Sequence, residues 1–291
     1  MTEVATSDQL LVVIDPVARR TDGESVRIAK DVLSAGAATK VCLPEGPEEF
    51  ARVLQRRGSR RPVVIGDDRA LVRAVSLLHR QRELAGCALS LVPVGGVLSL
   101  ARSLGVPTGA VAAARAVLEG AERRLDLMVD ESDGVVLGAL RIPPLVWGPE
   151  DEEDTEAPGA LSGAAFGSGH LWVRTCQSLV RTLVTARPAR SPSPAAAPGP
   201  SRLRVEVDGV TLVDLGQPID GLSVAPGEPG LAAVEVRPVS VGAEATPLFA
   251  EGRRVTVSGA DFRYRADAAV SGPVRTRTWT VRKAAWGLTL P

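Results

Sequence analysis

Short, fully apolar runs alternate with stretches of helical spacing over the first hundred residues, and this rhythm constrains the fold more than anything else in the chain. LLVVI (10–14) has no polar position at all, as expected of a strand buried on both faces of a parallel sheet. KVCL (40–43), VVI (63–65) and ALSLV (88–92) repeat the theme. Between them, residues 26–35, 47–56 and 71–82 place apolar side chains at helical intervals, and 97–104 predicts a further short helix. DPVARRTDGES (15–25) reads as a loop. Strands alternating with helices predict a doubly wound α/β lobe over residues 1–123.

From residue 125 the texture changes. DLMVDESDGVVLGALRIPPLVW (126–147) alternates apolar and polar residues, the signature of antiparallel strands with one wet face. RLRVEVDGVTLV (202–213) and the block from GRRVTV (252–257) to the end continue the period of two. Residues 124–291 are therefore read as a β-rich, sandwich-like substrate or ligand domain. Within it, the acidic run PEDEEDTEAPG (149–159) reads as a solvated loop, 171–184 as an amphipathic helix, and RPARSPSPAAAPGPS (187–201) as a mobile loop unable to build a core.

Charge and cysteine content exclude several classes. Lys plus Arg equals Asp plus Glu at 34 each, so no overall basic field draws in nucleic acid. The three cysteines, Cys42, Cys87 and Cys176, are far apart and form no CxxC, which argues against a disulfide framework or a zinc site. His79 and His170 have no carboxylate partner nearby in sequence, so no metal set is expected. MTEVATSDQ lacks a leader pattern and no apolar run approaches the roughly 18 residues of a span, which predicts a cytoplasmic protein. Arg253, Arg254 and the arginines of 263–282 alternate with apolar residues and read as one decorated strand face, so a peripheral contact with the inner membrane face is a candidate.

Five segments carry the candidate chemistry, in this order: IDP (14–16), VVIGDDRALVRAVSL (63–77), PVGGVLSLARSLGVP (93–107), LEGAERRLDLMV (118–129) and FRYRADAAVSG (262–272). Together they resemble the diacylglycerol kinase catalytic-domain family, bacterial lipid kinases that share a nucleotide-binding core with NAD kinases. The resemblance implies that fold, a lipid substrate, and ATP with Mg²⁺. Gly66, Asp67, Asp68, Arg69 and Ala70 stand where the family has GGDGT, and Asp15 replaces the asparagine of an Asn-Pro. Gly95 is kept from a PLGTGND signature, whose next four residues have become Gly96, Val97, Leu98 and Ser99. The family's DGE base falls on Asp267, Ala268 and Ala269, with Asp208-Gly209-Val210 as a competing match, and both lack the glutamate.

The resemblance thus places nucleotide contacts at Asp15, Gly66, Asp67, Asp68, Arg69, Gly95 and Gly96, and catalytic carboxylates at Asp68 and Asp267. Glycine matters in such a loop because a side chain blocks the approach of backbone amides to phosphate. With three motifs altered, the expected protein is an impaired lipid-kinase homologue, a pseudokinase, holding a lipid-like or nucleotide ligand between its lobes. The alternative is an active lipid kinase in which Asp67 and Asp68 bind Mg²⁺ and Arg69 contacts phosphate. A second copy of the chain or another protein stands beside the lipid as a candidate partner.

Overall fold

The computed structural model describes residues 9–144, 200–239 and 246–291. The acidic run 149–159, the stretch 171–184, His170, Cys176 and residues 187–199 lie outside them. The first lobe contains β1 (Leu10–Ile14), α1 (Pro16–Thr21), α2 (Gly23–Gly36), β2 (Thr39–Cys42), α3 (Pro47–Gln55), β3 (Arg61–Gly66), α4 (Asp68–Arg80), β4 (Ala88–Pro93), α5 (Ser99–Ser103) and α6 (Ala110–Glu119). Its strands are parallel and lie in the order β4-β3-β1-β2.

Successive side chains of β1 serve two cores. Leu11 and Val13 face α3 and α4 through Phe50, Leu54, Leu71 and Leu78, whereas Leu10, Val12 and Ile14 face α2 and α6 through Ala29, Leu33, Ala113 and Val117. This is the physical basis of the unbroken apolar run, because a strand covered on both faces has no wet side to mark with polar residues.

The 15–25 segment is helical where the sequence suggested a loop. Asp15 caps α1, its Oδ1 accepting from the Val17 amide at 2.8 Å, and Pro16 occupies the first turn, where no amide hydrogen is needed. Asp22 then caps α2 through the Ser25 amide at 2.9 Å. The polar residues that suggested a loop are two consecutive helix starts. Helix α6 was also not foreseen; its alanine-rich face is buried at Ala113, Ala114 and Val117.

The second lobe comprises β5 (Ala121–Asp130), β6 (Val135–Val136), β7 (Leu140–Ile142), β8 (Leu203–Val207), β9 (Val210–Val213), β10 (Ile219–Pro226), β11 (Ala232–Pro238), β12 (Leu248–Gly252), β13 (Arg254–Ala266) and β14 (Ala269–Leu290). Its core gathers the inward residues of these strands, among them Leu140, Val205, Leu222, Val234, Val257, Tyr264 and Trp279. Together the described strands form one 14-stranded sheet.

The joint between the lobes is β14. Trp279 and Val281 belong to the second core, and Trp286, Leu288 and Leu290 belong to the first, where Gly287 and Leu288 pair in parallel with β4. The strand changes core at a bulge between Arg282 and Trp286, where Ala284 has φ 48°. Asp126 fixes that bulge. Its Oδ1 accepts from the Ala284 amide at 2.7 Å, and its carbonyl accepts from Trp286 Nε1 at 3.1 Å. No helix among the described residues is long and apolar enough to cross a membrane.

Candidate functional site

The loop after β3 carries Asp67 and Asp68, and both carboxylates bind backbone. Asp67 caps α4, its Oδ1 accepting from the Ala70 amide at 3.1 Å. Asp68 reaches across to α5, accepting from the Leu100 amide at 2.8 Å and the Ala101 amide at 2.9 Å, one on each oxygen. Its own amide donates to the Val97 carbonyl at 3.0 Å. The loops after β3 and β4 are thereby tied together by main chain and side chain at once. Burial pushes the Asp68 carboxyl above its ordinary value, partly opposed by the Leu100 and Ala101 amides, with the Asp67 charge adding to the rise.

Glycines shape this corner. A Cβ on Gly66 would lie 2.6 Å from the Ala70 Cβ and 3.0 Å from that of Asp15, so the end of β3 is closely packed against both neighbours. Gly95 has φ 138°, a conformation L side chains avoid, and a Cβ there would lie 3.0 Å from the Asp67 Cβ. Gly96 is exposed and meets nothing. Arg69 is exposed, whereas Asp15 is buried and accepts from Arg73 Nη1 at 2.7 Å.

From the second lobe, Asp267 arrives on the two-residue turn between β13 and β14, with φ 49°. Its Oδ2 accepts from the Leu137 amide at 2.9 Å and its Oδ1 from the Gly138 amide at 2.7 Å, while its own amide donates to the Ala139 carbonyl at 2.9 Å. Gly138 lies against both sides of the site, since a Cβ on it would be 2.9 Å from Leu100 Cδ1 and 3.1 Å from Asp267 Oδ1. Burial, with the Asp68 charge adding to it, raises the Asp267 carboxyl from an ordinary 3.8 to about 6, against the pull of the amides. Such a group changes charge near neutrality, as a general acid or base must.

Asp267 thus lies within electrostatic reach of Asp68, with Gly138 packed between it and Leu100. Asp208, the competing match, turns the β8–β9 hairpin and accepts from the Arg253 and Arg254 amides at the opposite end of β13. Ala269, at the first position of β14, is exposed and brings no carboxylate. Sequence reasoning missed Leu137 and Gly138, whose contribution is main chain and carries no side-chain signal. It also missed Arg73, although an arginine four residues after Arg69 puts both on one helix face.

The remaining conspicuous residues have structural settings. Trp279 and Trp286 are core residues. His79 lies 3.7 Å from Asp133, and burial holds its imidazole below the ordinary value. Arg277 departs from the decorated strand face, because it shares a side of β14 with buried Trp279 and turns toward Asp130 and Ser132.

Among the described residues, no cluster of His, Cys, Asp or Glu is placed to hold a metal ion. The site does not fit a metal-bridged polyphosphate: the Asp67 carboxylate occupies the start of α4, both Asp68 oxygens are bound to amides, and the Asp68 amide is taken by Val97. Phosphate loops depend on free amides at this place.

Residues 9–129 match the family of the diacylglycerol kinase catalytic domain. No curated protein matches the chain. Solved structures from Bacillus anthracis str. Sterne that carry the name diacylglycerol kinase superimpose over 98% of both chains, with TM-scores of 0.68, 0.70 and 0.67 at 12%, 11% and 11% identity. At that identity the likeness establishes the fold.

Proposed function

We infer from the match of residues 9–129 to the diacylglycerol kinase catalytic domain that this chain is a homologue of that family. Members of that family generally use ATP and Mg²⁺. The reading supported best is a catalytically impaired lipid-kinase homologue, a pseudokinase that holds a lipid-like ligand rather than a nucleotide in the cleft between its lobes. One observation carries it: the carboxylates of Asp67 and Asp68 are spent on the amides of Ala70, Leu100 and Ala101 rather than left for a nucleotide and its metal. The apolar Val97 and Leu98, in a loop where the family has polar residues, favour an apolar guest.

Titration of the purified protein with Mg-ATP, followed by a labelled-phosphate transfer assay with diacylglycerol, tests this. The expected result is no saturation at millimolar nucleotide and no labelled lipid. Micromolar binding with transfer would overturn it in favour of an active ATP-dependent lipid kinase. That second reading is favoured by one observation of its own, the Asp267 carboxyl raised to about 6 with the Asp68 charge contributing, a value that suits a general base once its bonds to the Leu137 and Gly138 amides are released.

A further inference from the structure

Arg73 is held in place twice. Its Nη1 donates to Asp15 Oδ2 at 2.7 Å, and its guanidinium lies 5.6 Å from the centre of the Phe50 ring, yet the side chain is still 35% exposed. Long side chains on a helix lean toward its N-terminus, so Arg73 carries its charge back over the first turn of α4 to the end of β1, where Asp15 sits. That is the end of the sheet at which open α/β folds bind ligands. The chain leaves β1 for β2 on one side while β3 pairs on the other, so the crevice between the loops after β1 and β3 is the topological switch point.

Arg69 projects from the same face of α4, one turn nearer this crevice. It is exposed and has no partner among the described residues. The three nearby carboxylates leave Arg69 unanswered: Asp15 is paired with Arg73, Asp67 is bound to the Ala70 amide, and Asp68 is turned toward α5. Guanidinium groups bind phosphate through several parallel N–H donors, and only one donor of Arg73 is used by Asp15.

We propose that Arg69 and Arg73 form a phosphate-binding site at the switch point, in place of the amide cradle, and that it takes the phosphomonoester head of an already phosphorylated lipid or a free phosphate. The proposal rests on the reading of the protein as a ligand-holding homologue that does not transfer phosphate. It turns the cleft from one that would make a phosphorylated lipid into one that recognises it.

Calorimetric titration of the full chain without Mg²⁺ tests this, using inorganic phosphate, dioctanoyl phosphatidate and uncharged dioctanoylglycerol as probes against wild type, Arg69→Ala and Arg69→Glu. Arg69 is exposed, so neither change threatens the fold. Saturable binding of a phosphate-bearing probe is expected, weakened about 10-fold by Arg69→Ala and further by Arg69→Glu. Equal binding of inorganic phosphate and phosphatidate assigns the site to free phosphate; binding of phosphatidate alone assigns it to a lipid head. Binding unchanged in both variants, or no binding of either phosphate probe at millimolar concentration, overturns the site. Dioctanoylglycerol binding that ignores Arg69, without any phosphate binding, overturns the site and leaves the cleft reading standing, whereas phosphate transfer from Mg-ATP overturns both.

Discussion

Asp267→Asn isolates the most consequential charge at the junction of the lobes. The wild-type carboxyl is raised from 3.8 to about 6, so the folded protein holds this proton more tightly than the unfolded chain does. Folding is therefore penalised by this group above about pH 6, and the penalty is relieved as pH falls toward the ordinary value. The full difference corresponds to about 3 kcal/mol, of which about 2 kcal/mol is recovered between pH 7.5 and pH 4.5. Asparagine tolerates the φ of 49° and keeps one acceptor for the Leu137 and Gly138 amides, but turns a donor toward the other. That mismatch costs about 1–2 kcal/mol at either pH. The variant should therefore be equal to or less stable than wild type at pH 4.5 and more stable than wild type at pH 7.5. Urea unfolding followed by tryptophan fluorescence at both pH values gives the difference of differences, in which titrating groups uncoupled from Asp267 cancel. A value near 2 kcal/mol is expected. A value below about 0.5 kcal/mol, or of opposite sign, would refute the account of Asp267 as an acid raised by burial.

Two neighbours give independent checks. Asp68→Asn removes a charge that helps hold Asp267 up, so the pH dependence assigned to Asp267 should move to lower pH, read from stability profiles of the two single variants and the double variant. Asp68→Ala, by contrast, orphans the Leu100 and Ala101 amides and should cost about 2–4 kcal/mol in urea unfolding, whereas a carboxylate kept only for a ligand could be removed at little cost. Gly66→Ala forces a methyl to within 2.6 Å of the Ala70 Cβ and should cost about 1–3 kcal/mol; an unchanged midpoint of unfolding would show that the loop after β3 has room to spare.

The legible parts of this chain are those where a physical requirement falls on one residue type at one position. Buried parallel strands require apolar residues on both faces, so 10–14, 63–65 and 88–92 marked β1, β3 and β4 to within a few residues. The two helix starts at Asp15 and Asp22 were written in the same residues that serve turns, and only the accepted amides distinguish cap from loop. The joining strand was hidden for a different reason. Nothing in period-two alternation reveals that one strand, β14, leaves its own core at the Ala284 bulge and enters another, because the pairing that decides it, Gly287 with Ala88, joins opposite parts of the chain.

The site shows the same division most sharply. GDD read as a loop for binding something outside the protein, and the loop geometry is present: Gly66 packed tightly, Gly95 at positive φ, and a helix starting at Asp68. The destination of the carboxylates is decided by the main chain of another loop, since the Asp68 oxygens each meet one amide of α5. A carboxylate satisfied by two amides would have to give up both bonds to turn toward a ligand, which is a cost that a glycine-rich phosphate loop never incurs. The same corner thus retains the geometry of a nucleotide loop while its aspartates hold the lobe together. Any anion it recognises must be met instead by the guanidinium groups on the outer face of α4.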